Sequence, residues 1–169
     1  MRRGTPAALV LLAALAAAGC AKGAEPKQPE LPAALCGVPV AADVLRPVLV
    51  PGGTVATSGV DGRCGVEVDG RQVLSLQSAT QPPTRDYRAT WDWQMPHGTP
   101  VPIGDEGRAV DTLVGAAQKC AVGGRQQVFV ASVERFSTKG GDPAARKAAL
   151  TRLMGAWFPA ARKAAGCAP

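Results

Sequence analysis

Residues 63–77 read RCGVEVDGRQVLSLQ, two β-rich runs on either side of Asp69-Gly70. Asp-Gly supplies the two positive φ angles of a tight hairpin turn, so the stretch predicts antiparallel strands over 63–68 and 71–77. With only those two residues in the turn, Val66 faces Val73 and Cys64 lies one pair further along the same face. Cys64 therefore points to the buried side.

Toward the C-terminus, 114–122 and 127–136 form a second hairpin through Gly123-Gly124. Loops of two and of four residues are both open here. Either one pairs even-numbered residues of the first strand with odd-numbered residues of the second, so Cys120 shares a face with Phe129, Ala131 and Val133. The alanines of 110–119 also suit a partial helix. Beyond them, Asp142 fits an N-cap and Pro143 the first helical position, and Leu150, Leu153, Met154, Trp157 and Phe158 recur at helical spacing. Pro159 lacks a backbone donor and would crowd Gly155, so this helix is expected to end or kink there. The fold class that follows is α+β, with antiparallel hairpins forming a sheet packed against a C-terminal amphipathic helix.

Toward the N-terminus, 40–45 suits a short helix interrupted by Pro47, and Pro51-Gly52-Gly53 reads as a loop. Residues 78–106 are rich in Pro, Thr and Asp and lack a clean period except around 90–94. No repeat of structural length is visible, and 35–169 has the size of one domain.

The first 34 residues read differently. Met1-Arg2-Arg3 precedes an apolar stretch over 6–18, then Gly19-Cys20. That is the secretory pattern, and about a dozen apolar residues fall short of the roughly 20 that a membrane span requires. Ala17-Ala18-Gly19-Cys20 resembles the lipobox of bacterial lipoproteins, in which the cysteine becomes the lipidated first residue. The resemblance implies a signal peptide over 1–19 and acyl chains on Cys20, with ordinary cleavage near Ala16-Ala17-Ala18 as the alternative. Two acyl chains give stable anchoring when each buried CH₂ contributes about 0.8 kcal/mol. Residues 20–34, rich in Pro, Lys and Glu, then form a semi-extended tether.

The five cysteines are an odd number for an exported chain, and lipidation of Cys20 accounts for the odd one. Cys36, Cys64, Cys120 and Cys167 remain, and an oxidising compartment makes two disulfides the expectation. Three connectivities are open. Cys36 with Cys64 and Cys120 with Cys167 are favoured, because each pair joins neighbouring predicted elements.

No G-x-S-x-G elbow, H-E-x-x-H or phosphate-binding Gly loop is present, and no cofactor or metal is implied. The one histidine, His97, reads as an exposed loop residue. Glu67, Asp69, Asp105, Glu106 and Asp111 are the carboxylates from which an acid/base pair would be drawn. Asp69 is already explained by its turn and Glu67 by a solvent-facing strand position.

Two surfaces stand out as candidate binding sites. Trp91 and Trp93 would share one face of a short strand and, if exposed, would make a platform for a sugar or a partner; burial in an aromatic-poor core is the competing reading. The other is basic. The chain carries +6, or +4 once Arg2 and Arg3 leave with the signal. Arg146, Lys147 and Arg152, with Arg162 and Lys163, crowd the polar side of the last helix, where they could meet anionic lipids or cell-wall polymers, or serve only as a solvated face. Nucleic acid is not an expected partner of an exported chain without a recognised nucleic-acid fold.

In layout, the lipobox, short tether, four-cysteine domain and terminal helix resemble small extracytoplasmic lipoproteins of unknown function from actinobacteria. The resemblance implies an α+β fold on the outer face of the cell membrane, and no functional residue except Cys20. Two functions are consistent with this: a noncatalytic module that binds an envelope component or a membrane protein, and an envelope hydrolase or transferase built on a carboxylate pair.

Overall fold

Asp61-Gly62, Asp69-Gly70 and Gly123-Gly124 each place two consecutive residues at positive φ, with values of 46° and 76°, 50° and 72°, and 56° and 75°. This is the mirror-image turn whose twist matches that of the flanking strands, and it folds three stretches of chain back on themselves. The structure, a computed structural model, describes residues 30–167. The segments expected to be signal peptide and the first part of a tether, with Cys20, lie outside the described residues.

In chain order the elements are β1 (Ala34–Leu35), β2 (Val38–Pro39), α1 (Ala42–Leu45) with a 3₁₀ turn at Arg46–Val48, β3 (Val55–Val60), β4 (Arg63–Val68) and β5 (Arg71–Gln81), then α2 (Tyr87–Gln94), β6 (Thr99–Pro100), β7 (Glu106–Ala109), β8 (Leu113–Val122), β9 (Arg125–Arg135) and α3 (Pro143–Ala164). β1 and β2 make a small hairpin. The other strands form a seven-stranded sheet in the order β3-β4-β5-β9-β8-β7-β6, with every neighbouring pair antiparallel. At the N-terminal edge, Glu30 bridges Thr54, just before β3 begins.

Period-two alternation sends one sheet face to the core. Val114, Ala116 and Cys120 of β8 lie with Phe129, Ala131 and Val133 of β9, and Leu76 of β5 is opposite Cys64 of β4; all are buried. α3 covers this face with Leu150, Leu153, Met154, Trp157 and Phe158, and the Phe158 ring meets Phe129 edge-on at 5.2 Å between centroids. The α+β architecture of hairpins packed against a C-terminal helix is thus the one present.

Both disulfides join the expected partners. Cys36 is bridged to Cys64 and Cys120 to Cys167, with Cα separations of 5.8 and 5.4 Å. The second depends on how α3 ends. Gly166 has φ 69°, its N–H donates to Lys163 O, and the Cys167 N–H donates to Arg162 O. This is the Schellman arrangement, which turns the chain off the helix and carries Cys167 inward.

Three expectations are corrected. Val66 pairs with Leu74 instead of Val73, because a β-bulge sits at Val66/Glu67. Strict alternation would bury only one of Val73 and Leu74; with the bulge both are buried, and the Val73 carbonyl accepts from Phe136 N–H. Of the two outcomes expected at Pro159, an end or a kink, the end is overturned: α3 continues through it to Ala164. Proline forfeits one helical hydrogen bond, but Trp157, Phe158 and Ala161 around it are buried, and continuing the helix keeps them on the core. Residues 110–119 are strand from Leu113 onward, because β8 is paired on both sides, by β7 and β9.

Candidate functional site

The segment containing the two tryptophans is helical. The Asp86 carboxylate accepts from the Ala89 N–H at 3.0 Å and caps α2, and the chain coils through Gln94. Residues two apart on a helix point about 200° from each other, so the platform expected of a strand does not form. Trp91 is 5% exposed and Trp93 82%. Trp91 is seated on the outer sheet face against Gly115, while Tyr87 packs with Ala117, Val128 and Val130.

Arg146, Lys147 and Arg152 of α3 are cross-linked to other elements. Arg146 pairs with Asp111 in the β7–β8 turn, Lys147 donates to Thr99 of β6 at 3.3 Å, and Arg152 pairs with Asp43 of α1. Arg108 of β7 similarly pairs with Asp92 of α2. Arg146 and Lys147 are half-buried, and only Arg152 of the three is exposed. Beneath them Arg135 is buried, its Nε donating to Val48 O at 3.1 Å and Nη2 to Lys139 O. Burial lowers its pKa, the nearby Arg146 lowers it further, and Asp111 acts in the opposite sense. These cations stitch helix, 3₁₀ turn and sheet together.

Three of the candidate carboxylates have structural duties. Asp69 accepts from Gly53 N–H at 3.0 Å and Thr54 N–H at 2.9 Å, and so holds the 51–53 loop as well as its own turn. Asp105 accepts from Lys119 N–H at 2.7 Å, and Asp111 is paired with Arg146. Glu67 is half-buried on β4, and Glu106 is exposed on β7. His97 is exposed in the turn after α2. Among the described residues, no group of three or more His, Cys, Asp or Glu is placed to hold a metal ion.

Two concave features lie on either side of the β3–β4 hairpin tip, which sequence reasoning missed although Asp61-Gly62 is the same dipeptide as Asp69-Gly70. Gly62 O accepts from Ser78 N–H at 2.7 Å, and this clamps the tip onto β5. On the α3 side is a cleft of about 640 Å³ lined by Thr57, Val60, the Cys36–Cys64 bridge, Trp157 and Ala161. It is part apolar, and Val60 is 74% exposed at its edge.

On the α2 side is a second cleft of about 390 Å³. Gln77, Val130 and Ser132 supply strand residues, Tyr87, Trp91 and Gln94 the helix wall, and Arg63 and Arg85 the charge. Tyr87 and Trp91 are 6% and 5% exposed, and neither Tyr87 Oη nor Trp91 Nε1 has a hydrogen-bond partner among the described residues. Burial raises the Tyr87 pKa and Arg85 opposes that, so the hydroxyl remains a donor at neutral pH.

Among the described residues no helix is long and apolar enough to cross a membrane. Comparison of the chain with protein-family models, curated proteins and solved structures finds no match.

Proposed function

We propose that the chain is a lipid-anchored lipoprotein on the extracytoplasmic face of the bacterial cell membrane, and that its folded part is a noncatalytic module for an envelope component or a membrane-protein partner. The observation that carries this reading is the cysteine ledger: all four cysteines of the described domain are bridged in pairs, which leaves Cys20, in its lipobox-like context, as the one to be lipidated. Paired disulfides suit an oxidising compartment. The binding role is supported by the two clefts beside the hairpin tip, and by the engagement of Asp69, Asp105 and Asp111 in holding the fold.

The test is the intact mass of the protein extracted from membranes, with thiols alkylated before and after reduction. A diacylglyceryl mass on a chain beginning at Cys20, with four cysteines reactive only after reduction, is expected; Cys20→Ser should move the protein out of the membrane fraction. An unlipidated mass, or membrane retention of the serine variant, would overturn the anchor.

A further inference from the structure

The 390 Å³ cleft between α2 and the outer face of the β5–β9 pair lies in the size range of small-molecule sites, and its polar groups are lopsided. Arg63 and Arg85 carry guanidinium groups, Tyr87 Oη and Trp91 Nε1 are donors without a partner, and Asp61 is the one carboxylate lining it. Tyr87 Oη and Trp91 Nε1 are themselves sealed from solvent, so these side chains serve the cleft as wall, and its exposed charge is that of the two arginines. That charge favours a ligand carrying negative charge, and guanidinium groups match the geometry of carboxylate and phosphate oxygens.

The rest of the lining narrows the class. Gln77, Gln94 and Ser132 offer groups that both donate and accept, which suits hydroxyls, while the aromatic bodies of Trp91 and Tyr87 give an apolar wall. A free amine would face two arginines against one aspartate, so a zwitterion fits poorly. We propose that this cleft binds an acidic saccharide, a sugar ring bearing a carboxylate or a phosphate, held by Arg63 and Arg85 at its anionic group and by Gln77, Gln94 and Ser132 at its hydroxyls, against the wall made by Tyr87 and Trp91. The assignment rests on the reading of the domain as a binding module and is independent of the lipid.

The experiment is calorimetric titration of the full chain in detergent with D-glucuronate, glucose 6-phosphate and neutral glucose as probes. At least one of the anions should bind saturably with a Kd of about 1 mM or tighter. Glucose should bind at least about tenfold more weakly, and Arg63→Ala and Arg85→Ala should each weaken the anion about tenfold. Both arginines are exposed, so these variants test the site without emptying the core. Gln94→Ala, which removes a hydroxyl-binding amide at an exposed position of α2, should weaken binding in the same direction. Preference for glucuronate over glucose 6-phosphate, or the reverse, identifies which anion the arginines were built for. No saturable binding of either anion, equal binding of glucose, or anion affinity indifferent to both arginines would overturn the inference. Sedimentation of the Cys20→Ser chain, which carries no acyl group, with isolated cell envelopes separates the two ideas: envelope binding without sugar binding removes this site and leaves the module reading standing, and failure of both removes both.

Discussion

Trp91 lies flat against Gly115. A Cβ built on that glycine would stand 2.8 Å from Cε3 and Cζ3 of the indole, closer than side chains tolerate. Glycine at the third position of β8 therefore makes room for α2. Gly115→Ala should cost about 1–3 kcal/mol through overpacking, read from denaturant melts.

The two tryptophans of α2 should behave oppositely. Trp91→Ala empties a buried site and should destabilise the protein by about 3–5 kcal/mol. Trp93→Ala, at an exposed position, should change stability by less than about 0.5 kcal/mol. Equal effects would contradict the helical geometry.

Removing the Cys120–Cys167 bridge by double alanine substitution should lower stability by about 2–5 kcal/mol, since it closes a long loop and staples the end of α3 to β8. Peptide mapping under non-reducing conditions should recover Cys36 with Cys64 and Cys120 with Cys167. Any other pairing would contradict the fold.

Asp142 should give α3 a pH-dependent cap. The backbone N–H of Ala145 binds its carboxylate and, with help from Ala144 and Arg146, holds the pKa below the usual carboxylate range. A pKa lower in the folded than in the unfolded state stabilises fully above the unfolded value, and that contribution is lost as pH falls through the folded one. Asp142→Ala should therefore melt below the parent protein at neutral pH, with the gap closing in acid. Asp142→Asn should retain much of the cap and lack this titration.

Arg135→Met should cost about 2–3 kcal/mol in chemical denaturation, because Val48 O and Lys139 O lose a charged donor. The loss should be insensitive to salt, unlike any effect of breaking the exposed Arg152–Asp43 pair.

What could be read from residues alone was local. Cys64 and Cys120 are inward because their hairpins alternate with a period of two, and α3 announces itself through Asp142, Pro143 and a long apolar stripe. β3 escaped because VATSGV carries its larger apolar residues only at the two ends, so alternation is invisible, although Asp61-Gly62 marked its turn. α2 is only eight residues long, too short for its period to emerge against Trp91 and Trp93 spaced two apart, yet Asp86 was a readable cap. The partners of Arg146 and Arg152 lie 35 and 109 residues away, and nothing in the helix names them. The clefts are more distant still from a linear reading. Each depends on where the β3–β4 tip lands relative to a helix on either face of the sheet.

The bridge between Glu30 and Thr54 gives the domain a defined response to force. Among the described residues, tension entering from the N-terminal side meets that contact first, then Leu31 on the core and the β1–β2 hairpin with its buried Leu35, before the pull reaches Cys36. There the load passes through a covalent bond into Cys64 and the interior of the sheet. A pull from that side is therefore handed, at Cys36, to a strand held by neighbours on both sides, β3 and β5.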